Sequence, residues 1–231
     1  MPTRRPRPLG RPPASNSAET RQRILDVARE TFAELGWGAT TNKDLATKAG
    51  ITSGALYHYF DSKLDIYLAV YDEVQEAVGE RFREAIATGD SFVDQFSAVL
   101  DMAHQMNAED PSLAQFVGSC RVDISRHEEL HRPIQRRLNV AAAIVAQLVD
   151  RAVVTGEITR SQREQLGGFV RTVLTGLTDA LSGDLSQHQA AIDAVRGILA
   201  GQFLHPAKAA KSQRAIAPPT RRSPSPSGSR G

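Results

Sequence analysis

Three ring-bearing side chains with polar atoms stand side by side at Tyr57, His58 and Tyr59, and a lysine follows at Lys63. Each can form hydrogen bonds, and large rings are costly to leave exposed without a partner. A phosphate backbone and the edges of bases would supply both hydrogen bonds and apolar contact. The spacing therefore favours a nucleic-acid interface, and a structural helical hairpin with surface aromatics is the alternative.

The residues before this cluster predict a short helix and a tight turn. Thr41 and Asp44 have the spacing of a capping box, in which each side chain pairs with the other residue's amide. Gly50 is a typical stop because it accepts a positive φ without steric cost. Ile51 would be the apolar plug of the turn.

The cluster itself lies on a second short helix, predicted over 54–60. Thr52 or Ser53 can cap this helix. Leu56 and Phe60 are spaced to face the first helix, which leaves the three ring residues outside. A helix, a tight turn and a second helix form the unit whose second helix enters the major groove of DNA.

Residues 20–72 resemble the DNA-binding domain of the TetR family of bacterial transcription regulators. The resemblance rests on the opening ETRQRIL, the loop GWGATT, the core AGITSGALYHYF and the SK that follows, and it has no gap. It implies a DNA-binding head, a helical body with a cavity for a small molecule, and a homodimer that pairs its last two helices.

The resemblance also implies roles for individual residues. Bases would be closest to Ser53, Gly54, Ala55 and Tyr57, and phosphates would be held by side chains that include Lys63. His58 is as consistent with a ring packed at the edge of the domain as with a DNA contact. The expected DNA-binding residues are Thr41, Asn42, Lys43, Thr52, Ser53, Gly54, Ala55, Tyr57, His58, Tyr59 and Lys63.

The charge distribution divides the chain into four parts. Residues 1–17 hold four Arg and no acid, and residues 206–231 hold six Lys or Arg and no acid. We interpret both as basic segments that are disordered by composition, either as DNA contacts or as a solubilising arm and a spacer. Residues 18–63 are neutral and form the expected head. Residues 64–205 hold 12 basic and 20 acidic residues, a net −8, and an acidic body would help turn the basic parts toward DNA.

Composition also narrows the location and the class of protein. The single cysteine excludes a disulfide framework within one chain and fits a reducing cytoplasm. No run approaches the ~18 apolar residues of a spanning helix, and the start lacks the apolar region of a signal peptide. We expect a cytoplasmic protein without membrane contact. No nucleophile, carboxylate cluster or metal-ligand spacing stands out, so we expect no enzyme activity, metal or cofactor.

The apolar periodicity from Ser62 onward is helical, and no alternating strand pattern appears. One of the predicted segments is a long helix over 128–154, and the last two run over 161–181 and 186–204. The predicted fold is all-α, with an N-terminal three-helix head and a six-helix C-terminal body for ligand binding and dimerisation.

The last two helices carry broad apolar faces, which a purely intrachain core would explain in part. The resemblance favours dimerisation, and a two-fold pair of short recognition helices doubles the DNA read on a palindrome. The expected interface residues are Phe169, Val173, Leu177, Leu181, Ile192, Val195 and Leu199.

The middle helices place polar groups beside apolar stripes, as in an adaptable ligand pocket. Each residue has an ordinary core or surface position as its alternative. The expected lining residues are Phe92, Phe96, Met102, His104, Met106, Phe116, Cys120, Asp123, Val145, Val149 and Phe169.

The leading functional hypothesis is a dimeric repressor that a small molecule releases from a palindromic DNA operator. An architectural DNA-binding protein without effector control is the alternative, and the long acidic body disfavours it. A DNA-processing enzyme such as a recombinase would need a nucleophile or a carboxylate cluster, and neither stands out.

Overall fold

The computed structural model describes residues 13–137, 139–181 and 183–202, and in these ranges the side chains of all residues except 13–16, 180 and 181. Ten α-helices and one short 3-10 helix lie in these ranges, and no residue in them forms a strand. The all-α prediction is confirmed.

The head consists of α1 (Pro13–Ala39), α2 (Asn42–Lys48) and α3 (Ser53–Leu56). α1 bends at Gly36, whose φ of +73° interrupts the helix. The helix begins at Pro13, so residues 13–17 are helical although composition assigned them to the basic arm. The rest of that arm and the basic tail lie outside the described residues.

The body follows, and only short connections of a few residues join its helices. Its helices are α4 (Lys63–Ala87), α5 (Phe92–Glu109), α6 (Pro111–Arg126), α7 (Glu128–Gln135), α8 (Val140–Val154), α9 (Arg163–Leu181) and α10 (Leu185–Leu199), with the 3-10 helix at Arg160–Gln162.

The body therefore has seven described helices rather than the predicted six. The single helix expected over 128–154 is divided between α7 and α8. Asn139 starts the second of these, since its side-chain oxygen accepts a hydrogen bond from the Ala142 amide at 3.0 Å. A capping side chain of this kind begins a new helix. The Ala-rich run after Asn139 favours helix so strongly that the pattern predicted one continuous helix.

Two hydrophobic clusters organise the chain. The first joins the head to the first half of α4 and includes Phe116 and Cys120 of α6 together with Leu130 and Ile134 of α7. The second lies among the end of α4 and helices α5, α8, α9 and α10. Because α6 and α7 contribute to the head's own core, a displacement of these helices must disturb the head.

Candidate nucleic-acid interface and ligand cavity

The capping box predicted at the start of α2 is present. Thr41 Oγ1 accepts from the Asp44 amide at 3.2 Å, and the Thr41 amide donates to Asp44 Oδ2 at 3.1 Å. The hydrogen bonds of Asp44 to Thr41 lower the pKa of the Asp44 carboxyl. Gly50 has a φ of +68°, as the turn requires.

The second helix of the motif is shorter than predicted. Thr52, and not Ser53, is its cap, since Thr52 Oγ1 accepts from the Ala55 amide at 3.1 Å. The helix ends at Leu56, and residues 57–59 form a tighter turn. This turn buries Phe60, and the cap of the next helix, Ser62, follows two residues later.

The predicted DNA-binding residues of α2 and α3 remain at the surface. Thr41, Lys43, Thr52, Ser53, Gly54, Tyr57 and His58 are exposed, and Asn42, Ala55 and Tyr59 are half-buried. The Asn42 amide donates to the Tyr57 hydroxyl at 2.9 Å, which joins the start of α2 to the end of α3. Tyr57 keeps 52% of its surface exposed. The exposure of His58 disfavours the packed-ring alternative.

Lys63 stands apart from this surface. Its ammonium group donates to the carbonyl oxygens of Trp37 and Thr40 at 2.7 and 2.9 Å and lies 4.1 Å from the centre of the Trp37 ring. Burial lowers the pKa of Lys63, and the carboxylates of Glu129 and Asp123 partly offset that effect. The phosphate contact stays a prediction, with two of the three N–H bonds engaged by the end of α1.

A polar junction between head and body lies beneath Lys63. The Trp37 amide and the Tyr67 hydroxyl both donate to Asp123 Oδ2, at 2.9 and 3.1 Å, and Trp37 Nε1 donates to Glu129 Oε1 at 2.9 Å. Only 6% of Asp123 is exposed. A Cβ at Gly36 would lie 3.1 Å from an Asp123 oxygen, so glycine permits this approach. We call these residues the Trp37–Asp123 junction.

The sequence analysis did not identify this junction. One signal was available. Asp123 follows Phe116 and Cys120 at helical spacing, which places a carboxylate on the apolar face of α6. A buried carboxylate must be paired, so the position itself indicated partners from another element.

A second polar link joins α1 to α6. Arg29 of α1 donates to Asp110 at 2.8 Å and to Ser112 at 2.9 Å. Asp110 is also the cap of α6, since its side chain accepts from the Ser112 amide. α1 is thus held to both ends of α6.

The body contains a cavity of about 120 Å³. Its wall is mostly apolar and comes from α4, α5, α6, α8, α9 and α10. The polar or charged members of the wall are Gln75, Asn107, Arg121, Arg171, Thr175, Thr178 and His188, and none of the lining residues is acidic.

The structure places two of the predicted lining residues at this cavity and the others away from it. Met106 and Val145 line this cavity. Phe116, Cys120 and Asp123 lie on the side of α6 that packs against the head. His104 contacts His188, with 3.1 Å between their Nδ1 atoms. The remaining predicted residues lie in or against the second cluster: Phe92, Phe96, Met102, Val149 and Phe169. The reason is that α6 has two apolar faces, and helical spacing alone did not show which of them meets the cavity.

Comparison with known proteins assigns the family. A family model for bacterial regulatory proteins of the tetR family matches residues 24–70. The HTH-type transcriptional repressor KstR2 of Rhodococcus jostii is 41% identical over 81 residues, 34% of this chain and 40% of that protein. The HTH-type transcriptional regulator TtgW of Pseudomonas putida is 35% identical over 96 residues, 42% of this chain and 72% of that protein. The chain belongs to the TetR family.

This TetR-family chain is a DNA-binding transcriptional regulator, as the sequence predicted. The structure of Salmonella enterica GusR shares its fold, with a TM-score of 0.64 and 24% identity over 80% of this chain and 95% of that chain. In the described ranges no helix is long and apolar enough to cross a membrane, and no group of three or more His, Cys, Asp or Glu side chains could hold a metal ion.

The last two helices of the TetR-family chain divide the predicted dimer residues between core and surface. Leu177 and Ile192 are buried within the chain, so they cannot form an outer face. Val173, Val195 and Leu199 are half-buried against the second cluster, Phe169 is exposed, and the side chain of Leu181 lies outside the described residues. Leu185 and Ile198 are large, exposed and apolar, and the prediction did not include them.

Cys120 of the TetR-family chain should resist thiol reagents as long as the chain stays folded. Only 4% of it is exposed, and burial raises the pKa of its thiol to about 11, so almost no reactive thiolate exists at neutral pH. We expect iodoacetamide labelling to be at least about a hundredfold slower in buffer than in denaturant. Mass spectrometry measures both rates, and comparable rates would contradict the burial of Cys120.

Proposed function

We propose that the protein is a dimeric repressor that binds a palindromic operator through two heads and dissociates when a small molecule enters the body cavity. The observation that carries the proposal is that α6 lies between the cavity and the head and contacts both. The head corresponds to residues 18–63 and the body to residues 64–205. The role is regulatory rather than catalytic, and its place is the cytoplasm, where the chromosome lies.

The exposed surface of α2 and α3 supports DNA reading. α3 has only four residues, so a single head can contact few base pairs. Tyr57 extends outward and is held by Asn42, which limits the freedom that the ring would lose on binding. Gly54 and Ala55 are small enough to let the backbone approach the groove, so DNA shape would contribute to specificity.

α6 supplies the route from cavity to head. Leu113, Val117 and Arg121 line the cavity, and Phe116, Cys120 and Asp123 lie on the adjoining side of the helix, within the head's cluster and junction. Leu113 and Val117 also pack against the head's cluster. An α-helix is stiff over this length, so a ligand that displaces one face must displace the other.

The switch is then a shift between two arrangements of the heads. A ligand changes operator affinity only if it binds the DNA-incompetent arrangement more tightly. α4 adds a second connection, because Lys63 and Tyr67 at its start contact Trp37 and Asp123, while Val78 and Phe82 further along line the cavity.

The outer face of α9 and α10 supports pairing with a second copy. Phe169 on α9 and Ile198 on α10 are large apolar side chains that remain at least 37% exposed, and Leu185 is exposed at the start of α10, on a different side of the helix from Ile198. A Cβ added at Gly168 or Gly176 would meet no atom of the described residues within 4 Å, so a second copy could approach α9 closely. Helix pairs that bury such faces produce the two-fold symmetry that a palindromic site requires.

Selection from random double-stranded DNA with the full chain tests the proposal. We expect one inverted repeat to be enriched and to bind at least about a thousandfold more tightly than a scrambled duplex. Light scattering of the complex should give two protomers or a multiple of two per repeat. Enrichment without a shared repeat, with affinity set by salt alone, would instead support an architectural protein.

Replacing Tyr57 by Ala should weaken binding to the selected repeat by about 1–3 kcal/mol per head and relax base preference near the α3 contact. Tyr57→Phe keeps the ring but loses the hydroxyl that Asn42 contacts, so it separates ring contact from hydroxyl contact. Fluorescence anisotropy on the repeat and on single-base variants measures both effects. An equal loss on all duplexes would mean that Tyr57 contacts phosphate rather than bases.

A further inference from the structure

Asn107 is a buried amide without a partner in the described part of the chain. Only 2% of the residue is exposed, and neither the oxygen nor the nitrogen of its side chain has a hydrogen bond. Rotating the amide by 180°, which exchanges its oxygen and nitrogen, would not change this, because both atoms are unpaired. Buried polar groups are nearly always paired, so this amide requires an explanation.

The position of Asn107 supplies one, because the residue lines the body cavity. Its donor and its acceptor are adjacent atoms of one planar group. Both atoms are covered in this structure, so the side chain must turn toward the cavity to meet a ligand. A ligand group that presents an acceptor and a donor side by side can then satisfy both atoms at once. A carboxamide or a lactam has this arrangement.

The cavity wall also contains a histidine, His188, which pairs with a second histidine. His104 precedes Asn107 by three residues on α5, and its Nδ1 lies 3.1 Å from Nδ1 of His188 on α10. A hydrogen bond between two Nδ1 atoms needs one of them to be unprotonated. Burial lowers the pKa of His188, and the nearby His104 lowers it further. The pair therefore contributes hydrogen bonding and no negative charge.

The charge of the cavity wall disfavours a cationic head group. The lining contains Arg121 and Arg171 and no Asp or Glu. Arg121 is paired with Asp179 outside the lining, and Arg171 has no ion pair with any described residue. A cation placed here would meet like charge without a carboxylate to balance it.

The size of the cavity limits the apolar part of the ligand. An apolar cavity of about 150 Å³ holds one benzene molecule. The cavity of about 120 Å³ is slightly smaller and partly open, so it can enclose one ring or a short branched chain. Val78, Phe82, Leu113 and Leu174 provide an apolar wall for it.

We propose that the effector class is a small, non-cationic compound with one apolar ring or short chain and a carboxamide-like head that pairs with Asn107. The inference rests on the proposed ligand-responsive function, since it specifies the occupant of the same cavity. Asn107 is the specificity-determining residue, and the arginines of the wall disfavour cationic head groups.

Three probes of nearly equal size test the head group. Benzamide offers a donor and an acceptor, acetophenone offers only the acceptor, and benzamidine is a cation with donors only. Titration calorimetry on the full chain without DNA should show benzamide binding about tenfold more tightly than acetophenone, and benzamidine weakest of the three. Equal affinities for benzamide and acetophenone, or no binding of benzamide at millimolar concentration, would overturn the inference.

Asn107→Leu tests whether the preference comes from this side chain. Leu has a similar volume and no polar atoms, so benzamide should lose its advantage over acetophenone. The ligand-free variant should melt about 2–4 °C higher, because an unpaired buried amide has been removed. Gln147→Leu is the matched control, since Gln147 is an exposed amide outside this cavity. A preference for benzamide that survives in Asn107→Leu would refute the assignment.

Operator binding is measured separately, without any probe. If the unmodified chain shows no sequence-specific DNA binding, the proposed function is contradicted, and the probe affinities are unaffected by that result. Probe affinities that contradict the pairing with Asn107 would leave operator binding unaffected.

Discussion

Replacing Asp123 by Ala should lower the free energy of unfolding by about 2–5 kcal/mol. The change leaves the Trp37 amide and the Tyr67 hydroxyl without their acceptor, and both donors are buried. A buried donor that loses its partner costs about 1–3 kcal/mol. The Trp37 amide loses its partner completely, whereas the Tyr67 hydroxyl keeps the weaker contact with the Cys120 thiol, so the total stays below twice the upper value. Burial raises the pKa of Tyr67 far above its ordinary value, so this hydroxyl keeps its proton and its need for an acceptor.

Urea denaturation at one fixed protomer concentration measures this effect, since the stability of a dimer depends on concentration. Asp150→Ala is the matched control. Asp150→Ala removes the carboxylate that accepts a hydrogen bond from Arg163. Both of these side chains are more than half exposed, and such pairs contribute at most about 1 kcal/mol. Hydrogen exchange should also become faster at the end of α1 in Asp123→Ala. A cost no larger than that of the control would mean that the junction does not hold the head.

The sequence predicted the head well because its signals are local. The capping box at Thr41, the positive φ at Gly50 and the cap at Thr52 each depend on residues within four positions, so backbone chemistry determines them. The end of α3 was not local in this sense. It depends on the burial of Phe60 against the head core, and helical spacing could not reveal the tighter turn.

The sequence could not show which residues line the cavity, because the lining depends on how helices rotate against one another. α6 and α9 both carry more apolar positions than one face can use, and the sequence does not say which neighbour receives which face. Asn107 was not among the predicted residues, since an isolated amide on a helix resembles a surface residue until its burial is known. The Trp37–Asp123 junction depends on residues 86 positions apart and is equally non-local.

The largest functional effect is expected from disrupting the outer face of the last two helices. Replacing Phe169 and Ile198 together by Glu should convert the proposed dimer to a monomer. Ile198 is 49% exposed and Phe169 is 37% exposed, with the Phe169 ring also against Phe96, so circular dichroism first checks that the protomer remains folded. In a dimer the four added carboxylates would be desolvated beside one another, which opposes association strongly.

Loss of the dimer should reduce affinity for the selected inverted repeat by about 10²–10⁴-fold, because two linked heads bind as a unit and one head reads only half the site. Analytical ultracentrifugation measures the association, and anisotropy measures the affinity for the whole repeat and for a half-site. Half-site affinity should change little, since the head is untouched.

Val154→Glu provides the control for added charge at an exposed apolar position. Val154 is 86% exposed at the end of α8 and belongs to neither α9 nor α10, so the variant should remain dimeric and bind the repeat normally. If the double variant stays dimeric, pairing must use a different face, and the small-residue surface around Gly168 and Gly176 would not be the contact. If it becomes monomeric but keeps full affinity for the repeat, a single head carries the specificity. That result would contradict the inference that the four-residue α3 is too short to act without a second head.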